Sequence, residues 1–525
     1  MNELTERKRV VIIGGGVAGL TAGIYACWAN FDVTLYEKYS TLGGACSGWD
    51  REGYHIDNCI RWMRGTKPGS ELYKIWETVG ALGDDIEVFR PDPLLTSELD
   101  GERASLWLDP DRTERELLAL SPEDAAPIRE LMQWCRAVKN DPYPADHPPE
   151  LTNMAGYRKI KSDLKATNKL CKHYRGQDIL DLMLTFKHPL IRQLIADLCP
   201  PEALAQSFAM TYGAYISGDG GVPRGGSRAM IDRMRQRFEK LGGRYFLNTP
   251  VEEIIHEGEL GTGVVLESGG FVPADFIVAA CDPAVTFGRM LDLLDMHPVM
   301  RGMYEEPESY LIYGMFQAAF AVDCAEDVVG GTVVLDCSDI RDEMDEIWMG
   351  SRMTVRTFSH EPDFAPEGKQ ILQISIDLTE DAYDDWKALL QDEPEKYKEK
   401  KETLAKAAMG LVEERFPEYR GKLTLLDTWT PASYQKRLAS YRGWPKAFTV
   451  SKKSIRNPYP PAIGFTIDNL IVASQWLSPP GGLAAAASQG KFAILRVLNQ
   501  EGAMARKSVQ REKDGGKKSL LLWGH

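Results

Sequence analysis

The sequence has 525 residues, of which 43% are hydrophobic and 26% are charged, as expected of a globular protein with two or three domains. The formal net charge of −14 argues against nucleic acid as a partner, because phosphate binding requires a basic face. The nine cysteines form no CxxC pair, which favours a reducing compartment over a disulfide framework. We expect a cytoplasmic protein without a signal peptide or a transmembrane helix.

The clearest local pattern lies at residues 9–38. Val10 to Ile13 is a continuous run of β-branched residues, which predicts a parallel strand buried on both faces. Three glycines and a helix-length segment rich in small residues follow. A second predicted strand at 32–36 ends at Glu37. Together these elements predict a βαβ unit.

The middle of the chain predicts a different architecture. Residues 65–225 indicate helices separated by proline-rich breaks, and 226–241 indicate a helix with a basic outer face. Buried or amphipathic strands are predicted at 242–257 (two strands), 274–283, 311–322, 331–336 and 370–378. The last three predict an antiparallel sheet in a separate layer.

The last part of the chain begins with a helix rich in lysine and glutamate at 392–416, which we expect to present a solvated face. A strand at 469–473, a turn rich in glycine and proline, and an alanine-rich helix from about 483 follow. We expect the residues from Arg506 onward to be disordered.

The glycines at Gly14-Gly15-Gly16-Val17-Ala18-Gly19 match GxGxxG between a predicted strand and helix. In this motif Gly14 permits the tight turn, Gly16 lets the backbone approach a pyrophosphate, and Gly19 allows close packing of helix and strand. The helix N-terminus offers free N–H groups to the phosphates. Glu37 would accept hydrogen bonds from the ribose hydroxyls and repel a 2′-phosphate, so FAD or NAD is favoured over NADP.

A second glycine pair, Gly43-Gly44, follows Lys38 closely and would bring another loop to the same pyrophosphate. Here the sequence resembles the flavoprotein superfamily that holds amine oxidases, phytoene desaturases, carotenoid isomerases and retinol saturases. In those families the glycine pair belongs to the FAD site. The resemblance therefore implies FAD as the cofactor and a first set of contacts at Gly14, Gly16, Val17, Ala18, Gly19, Glu37, Lys38, Gly43, Gly44 and Ala45.

Two further segments carry the same resemblance. Residues 212–254 look like the desaturase pattern of a Pro-x-Gly-Gly turn and helix followed by a valine, which implies that Val251 contacts the adenine through its backbone. Residues 467–493 resemble the C-terminal flavin motif. There Gln475 takes the polar position at the ribityl chain, and the glycine turn that faces the isoalloxazine comprises Gly481, Gly482 and Leu483.

The sequence departs from this pattern in two places. Ala45 stands where many relatives carry arginine, and Gln475 stands where an acidic residue is common. No second GxGxxG occurs in a strand–helix context, so we expect no dedicated NAD(P)H domain. Flavin reoxidation would then use oxygen, a quinone or another carrier.

We therefore predict an α/β protein in which a Rossmann-type FAD-binding domain is interleaved with a substrate domain of antiparallel sheet and helices. The FAD-binding domain comprises residues 1–80, about 222–300 and about 425–500. The substrate domain comprises about 81–221 and about 301–424, and residues 501–525 form a flexible basic tail. The oligomeric state is left open.

The resemblance favours an FAD-dependent oxidoreductase that desaturates or saturates an apolar polyene, isoprenoid or lipid. The alternatives are a redox-neutral isomerase of such a substrate, an amine oxidase-like flavoenzyme, and a prenyl-binding protein without redox chemistry. The aromatic residues Tyr441, Trp444 and Trp476 are candidates for the pocket, with simple core packing as the alternative.

The stretch from Gly43 to Trp62 holds Cys46, His55, Asp57 and Cys59 without a recognised metal-ligand spacing, so no metal site is predicted. A disulfide between the two cysteines stays an alternative. By resemblance the stretch passes near the flavin ring, which makes Cys59 and Arg61 the catalytic candidates, with packing in the pocket wall as the alternative.

The end of the chain suggests peripheral contact with a membrane. Six basic residues between Arg506 and Lys518 precede the apolar residues 520–523 in an otherwise acidic protein. Basic charge beside an apolar tip binds anionic bilayers. A solvated tail is the alternative.

Overall fold

The computed structural model describes residues 7–292, 296–340, 348–456 and 467–514. The strands are β1 (Arg9–Ile13), β2 (Asp32–Tyr36), β3 (Gly48–Arg51), β4 (Tyr54–Asp57), β5 (Val88–Phe89), β6 (Leu95–Leu99), β7 (Glu102–Leu106), β8 (Val222–Pro223), β9 (Arg244–Phe246), β10 (Val251–Glu257), β11 (Leu260–Leu266), β12 (Phe271–Pro273), β13 (Phe276–Ala279), β14 (Gly314–Val322), β15 (Thr332–Asp336), β16 (Trp348–Thr357), β17 (Gln370–Leu378), β18 (Leu423–Trp429) and β19 (Leu470–Val472).

The helices are α1 (Val17–Trp28), α2 (Glu71–Thr78), α3 (Pro110–Leu120), α4 (Ala125–Val138), α5 (Met154–Asp163), α6 (Lys165–His173), α7 (Ile179–Met183), α8 (Pro189–Leu198), α9 (Gln206–Ile216), α10 (Gly226–Lys240), α11 (Pro283–Val285), α12 (Pro298–Glu305), α13 (Ala382–Asp392), α14 (Pro394–Arg415), α15 (Pro431–Leu438) and α16 (Leu483–Asp514).

A five-stranded parallel sheet is built in the order β19-β13-β1-β2-β9. Alternate residues of β1 face opposite layers. Val10 and Ile12 pack in the core shared with α1, α10 and α16, whereas Val11 and Ile13 pack against the β10–β12 meander. The predicted βαβ unit and its doubly buried first strand are confirmed.

A second sheet of seven strands has the order β18-β14-β17-β16-β15-β6-β7. The strands predicted at 311–322, 331–336 and 370–378 form β14, β15 and β17 within it. The sheet is not wholly antiparallel, because β15 and β6 pair in parallel. The predicted domain boundary near residue 425 falls inside β18.

Strands β6 and β7 lie in a region where only helices were predicted. Asp100 and Gly101 connect them as a two-residue turn in which both residues have positive φ, +52° and +79°. An Asp-Gly pair is the preferred sequence for such a turn, because glycine and aspartate tolerate this backbone conformation. The hairpin forms one edge of the large sheet and packs against the helices α3–α9, with which it shares a separate hydrophobic core.

The composition of helix α14 predicts a solvated helix, but only one of its sides is exposed. Its lysines and glutamates cover one side. The other side is buried against the large sheet through Leu404, Ala405, Ala408, Leu411 and Val412. The helix therefore forms the outer layer of the substrate region.

The last helix runs further than the sequence predicted. Because α16 continues to Asp514, residues 501–514 are helical where a flexible tail was expected. This segment contains no proline and is rich in glutamate, arginine, lysine and glutamine, which favour helix. Residues 515–525, which include the predicted apolar tip, lie outside the described residues. Within the described ranges, no helix combines the length and hydropathy needed to cross a bilayer.

Candidate functional site

A cavity of about 2030 Å³ runs from the carboxyl ends of the parallel strands to the helices α4–α9. Its walls contain every predicted cofactor-binding and catalytic residue except Gly19. The predicted residues that line it are Gly14, Gly16, Val17, Ala18, Glu37, Lys38, Gly43, Gly44, Ala45, Cys59, Arg61, Val251, Gln475, Gly481, Gly482 and Leu483. The fold thus brings four distant sequence segments to one space.

The loop between β1 and α1 adopts a backbone geometry that requires glycine. Gly14 has a φ of +102°, and its N–H donates to the Tyr36 carbonyl oxygen at 2.8 Å. A Cβ atom at Gly19 would lie 2.0 Å from the Gly14 oxygen, so this residue serves helix packing and not the cavity. A Cβ atom at Gly16 would meet only the Gly43 oxygen, at 4.0 Å. Gly16 is therefore the position at which backbone faces open space.

Glu37 directly follows β2 and is 8% exposed. One carboxylate oxygen accepts the Gly15 N–H at 2.7 Å, and the other accepts the Tyr39 N–H at 2.9 Å. Burial raises the pKa of this carboxyl group, and the two backbone hydrogen bonds oppose that rise. Each oxygen keeps a second lone pair for a ligand hydroxyl. Beside it, burial lowers the pKa of Lys38.

The glycine pair Gly43-Gly44 lies against the loop between β1 and α1. The Gly43 N–H donates to the Gly15 oxygen at 2.8 Å, and Gly43 pairs with Gly16 in a short parallel bridge. A Cβ atom at Gly43 would lie 2.3 Å from the Cys46 oxygen, so only glycine fits there. Val251 begins β10 at the far side of Glu37 and is 5% exposed.

The C-terminal glycine turn is braced by Gln475. Its side-chain oxygen accepts the Gly482 N–H at 2.7 Å, and its amide nitrogen donates to the Pro445 oxygen at 2.8 Å. Nothing lies within 4 Å of a Cβ atom built at Gly482, where helix α16 begins. Gln475 therefore shapes the turn as well as lining the cavity.

Asp57 organises the turn that carries the catalytic candidates. Its carboxylate accepts the Ser227 N–H at 2.6 Å and the Ser227 hydroxyl at 2.7 Å, at the start of α10. It also accepts the Cys59 N–H at 3.1 Å and the Ile60 N–H at 3.2 Å. This buried carboxylate fixes the direction in which Cys59 and the next residues leave β4. From the sequence alone, Asp57 is a candidate only for metal binding.

Arg61 reaches from this turn to the large sheet, where its Nη2 donates to the Ser375 hydroxyl at 2.6 Å. Lys446 lines the same part of the cavity. Its side chain is accessible from within the cavity but is surrounded by protein. This burial lowers the pKa of the Lys446 ammonium, and the nearby Arg61 lowers it further. No sequence motif indicates Lys446, because a single lysine two residues after Trp444 matches no recognised pattern.

The aromatic candidates take different places. Trp444 and Trp476 are buried and line the cavity, and the Trp444 indole donates to the Ala447 oxygen at 2.9 Å. Tyr441 instead belongs to a cluster around Asp282, whose carboxylate accepts the Tyr441 N–H and the Tyr304 hydroxyl, both at 2.8 Å. Burial raises the pKa of Asp282. This cluster ties the end of β13 to the segment before Lys446.

The stretch around the cysteines holds no metal centre within the described ranges, where no three metal-binding side chains cluster. His55 Nδ1 lies 2.7 Å from the Asp50 carboxylate. All nine cysteines are free thiols in this structure.

The residues at the nucleotide end fit FAD. No side chain caps the first turn of α1, so its N–H groups are available to a pyrophosphate. The open space at Gly16 and Gly482 lies at the N-termini of α1 and α16, which suits an elongated dinucleotide between them. The buried Glu37 supplies acceptors for ribose hydroxyls.

Known proteins match this chain along most of its length. Phytoene desaturase (neurosporene-forming) from Rhodobacter capsulatus is 24% identical over 506 residues, which cover 91% of this chain and 88% of that protein. Chloroplastic prolycopene isomerase from Daucus carota is 22% identical over 98% of this chain and 83% of that protein. The structure of cyclohexylamine oxidase from Brevibacterium oxydans superposes with a TM-score of 0.58 at 16% identity, covering 94% and 100% of the two chains.

The family of flavin containing amine oxidoreductases matches residues 17–292, which are just over half of the chain. The match contains α1, Glu37, the glycine pair and the turn after Asp57. The protein is an enzyme, and FAD is its cofactor. With its two-sheet fold and its glycine loops, the chain belongs to the flavin containing amine oxidoreductase family, in the branch that holds phytoene desaturases and prolycopene isomerases.

Proposed function

We propose that this enzyme transfers hydride between bound FAD and a C–H bond of an apolar polyene-like or isoprenoid substrate. One observation carries the proposal: a single cavity joins the nucleotide loops to an apolar end among the helices. At about 2030 Å³ it exceeds the volume of about 300–1,000 Å³ usual for ligand pockets. It therefore has room for FAD and for a second, long ligand.

The proposed cofactor contacts follow the chain. Gly14, Gly16 and the N-terminus of α1 hold the pyrophosphate, and the Gly43-Gly44 loop covers it. Glu37 accepts from the ribose hydroxyls, and the Val251 backbone meets the adenine. The turn of Gly481, Gly482 and Leu483 faces the isoalloxazine. The bound flavin supplies the hydride chemistry at N5.

The apolar end of the cavity excludes water and orients the substrate. Its lining comes from α4, α7, α8, α9 and the large sheet and includes Val138, Met183, Leu198, Leu204, Met210 and Met315. Arg61 and Lys446 line the same cavity, and Lys446 lies near Cys199, the residue after Leu198.

Desaturation removes a hydride from one carbon and a proton from its neighbour, so the site needs a proton acceptor. Lys446 fits this role in its neutral form, because the surrounding protein lowers the pKa of its ammonium and its Nζ faces the cavity, 5.8 Å from the centroid of the Trp444 ring. Arg61 is held by Ser375 and keeps a positive charge beside it. We assign proton acceptance to Lys446 and electrostatic support to Arg61.

The mouth of the apolar end suggests how such a substrate enters. Helices α5 and α6 line it through Tyr157, Ile160, Leu164 and Cys171. Residues 154–175 carry seven lysines and arginines and one acidic residue, although the whole chain has a formal net charge of −14. Met154 and Leu184 are 70% and 65% exposed nearby. This combination fits an anionic bilayer surface.

The membrane contact is tested by sedimentation with vesicles. We expect the protein to sediment with vesicles that contain phosphatidylglycerol and not with vesicles of phosphatidylcholine alone. Reversing the charges of Lys159, Lys165 and Lys169 to glutamate should abolish this binding. The same reversal at Lys396, Lys398 and Lys406 on α14 is the matched control. Equal binding by both triple variants would place the contact elsewhere.

The reaction is tested by anaerobic incubation of the yellow holoenzyme with polyenes. Bleaching of the flavin together with a product that differs by two hydrogens supports desaturation. A rearranged product of unchanged mass, with the flavin oxidation state unchanged, would instead support the isomerase, the reaction named for the Daucus carota relative. A colourless protein that takes up no FAD would refute both reactions.

A variant tests the position of the substrate. Ser207 lies on α9 in the wall of the apolar end, and Ser207→Trp should fill that space. We expect FAD content to stay unchanged and turnover to fall at least tenfold. Ser217→Trp, just beyond the end of the same helix, is the control. Unchanged turnover in Ser207→Trp would place the substrate elsewhere.

A further inference from the structure

Two cysteines face each other at the flavin end of the cavity. In the hairpin of β3 and β4, Gly48 pairs with Asp57, and the ladder continues because the Asn58 N–H donates to the Ser47 oxygen at 3.0 Å. The same register places Cys46 opposite Cys59. Directly opposite residues of an antiparallel pair have Cβ atoms about 4.5–5.5 Å apart. A disulfide needs about 3.5–4.5 Å, so a small movement suffices.

The two thiols already interact. The Cys46 and Cys59 side chains influence each other electrostatically, and the Asn58 side chain connects the two arms by donating to the Ala45 oxygen at 3.2 Å. Cys46 is 2% exposed, whereas Cys59 is only half-buried. Cys46 is therefore the inner member of the pair, and Cys59 the outer one.

Both cysteines line the cavity next to the proposed cofactor loop. Cys46 follows Gly44 and Ala45 directly, and its N–H donates to the Gly43 oxygen at 3.0 Å. Cys59 stands on the turn fixed by Asp57. A pair in this place lies beside the space that we assign to the flavin.

Two basic side chains lie near the outer cysteine, in addition to the Asp57 carboxylate. The Cys59 sulfur interacts electrostatically with Arg356 and with Lys446. Arg356 is held in place because its guanidinium donates to the Ile60 oxygen at 3.0 Å.

We infer that Cys46 and Cys59 form a redox pair that exchanges two electrons with the bound flavin by making and breaking a cross-strand disulfide. In the oxidising direction the two S–H bonds would break and the S–S bond would form, with two electrons and one proton passing to the flavin and the second proton to solvent. The reverse step returns the electrons to the sulfurs. The inference rests on FAD as the cofactor and is independent of the polyene substrate.

Such a pair gives the flavin an electron partner within this chain. The sequence holds no second GxGxxG between a strand and a helix that would indicate an NAD(P)H domain. A dithiol at the cavity wall connects the flavin to external thiols or disulfides, because thiol–disulfide exchange passes two electrons at each step. The class of external partner is therefore a dithiol or a disulfide.

Peptide mapping tests the bond. Trypsin cleaves after Lys38, Arg51 and Arg61, so the two cysteines fall in the separate peptides 39–51 and 52–61. After oxidation with diamide and alkylation, we expect these peptides to be linked in the wild-type holoenzyme. Reduction should release both, and Cys46→Ser or Cys59→Ser should remove the link. Unlinked, alkylated peptides after oxidation would overturn the inference.

Anaerobic reduction tests the electron exchange. We expect the oxidised holoenzyme to accept four electrons per flavin, two for the flavin and two for the disulfide. Cys59→Ser should accept two, while Cys171→Ser, a control for another cysteine in the cavity wall, should accept four. Two electrons per flavin in a wild-type protein whose peptides are linked would show a disulfide that does not communicate with the flavin, and would also overturn the inference. Neither measurement uses a polyene, so a failed proposed function does not change its outcome.

Discussion

A side chain at Gly16 and a side chain at Gly19 meet different surroundings. At Gly16 it enters open cavity, whereas at Gly19 it meets the Gly14 oxygen at 2.0 Å. We expect Gly16→Val to fold normally and to lose FAD, because the side chain occupies the pyrophosphate space. Gly19→Val should lower the free energy of unfolding by about 3 kcal/mol. Flavin absorbance per protein and thermal melting of the flavin-free proteins check this. Retention of FAD by Gly16→Val would move the pyrophosphate elsewhere.

The proposed proton acceptor gives a second prediction for a single residue. Because burial lowers the pKa of Lys446, its neutral form becomes populated at a lower pH than in an exposed lysine. The rate should therefore rise as the pH rises through this lowered pKa. Lys446→Met should lose this limb of the pH–rate profile and about 100-fold or more in kcat. Lys452→Met, at a surface ion pair, is the control. A wild-type profile in Lys446→Met would exclude the role.

The junction between β4 and α10 depends on one carboxylate. Asp57 accepts from the Ser227 backbone and hydroxyl and from two N–H groups of the following turn. Asp57→Ala leaves these buried donors unpaired and should lower the free energy of unfolding by about 3 kcal/mol. Asp50→Ala removes only exposed pairs with Arg228 and His55, so about 0.5 kcal/mol is expected. Urea unfolding measures both. Equal losses would contradict the assigned role.

Elements with a strong local pattern could be predicted from the sequence, and elements specified by distant partners could not. The run Val10 to Ile13 and the glycine motif carry their own signals, and both form the expected strand and loop. Strand β6 is polar at Thr96 and Ser97 and becomes a strand by pairing with β15, more than 230 residues later. Lys446 likewise gains its environment only from Arg61 and the cavity walls. No local pattern encodes such neighbours.

At the scale of the whole molecule, His360 connects the segment between β16 and β17 to residues from the first half of the chain. Its ring stacks on Phe89 of β5 with centroids 4.0 Å apart. Its carbonyl oxygen accepts from Arg224 at 3.0 Å, just before α10. Burial, assisted by Arg356, lowers the pKa of His360 to about 4. Between this pKa and about 6.5, the unfolded chain binds a proton that the folded chain does not. The free energy of unfolding therefore falls as the pH falls through this window.

We expect His360→Phe to keep the stacking and to lose this contribution, so its stability should depend less steeply on pH between about 4 and 6.5. Urea unfolding midpoints across this range provide the measurement. His256→Phe, on the exposed face of β10, should leave the dependence unchanged. Parallel curves for the wild type and His360→Phe would show that protonation of His360 does not contribute to the pH dependence of stability.

The pairing of β6 with β15 has a consequence for how the protein is made. The hairpin β6–β7 is synthesised long before Thr332–Asp336 emerges from the ribosome. The backbone edge of β6 therefore stays unpaired until β15 is available. An unpaired edge strand is a template for association with other chains. Fragments that end before residue 332 should consequently aggregate through this hairpin, and the nucleotide-binding part should not be obtainable in soluble form by simple truncation of the chain.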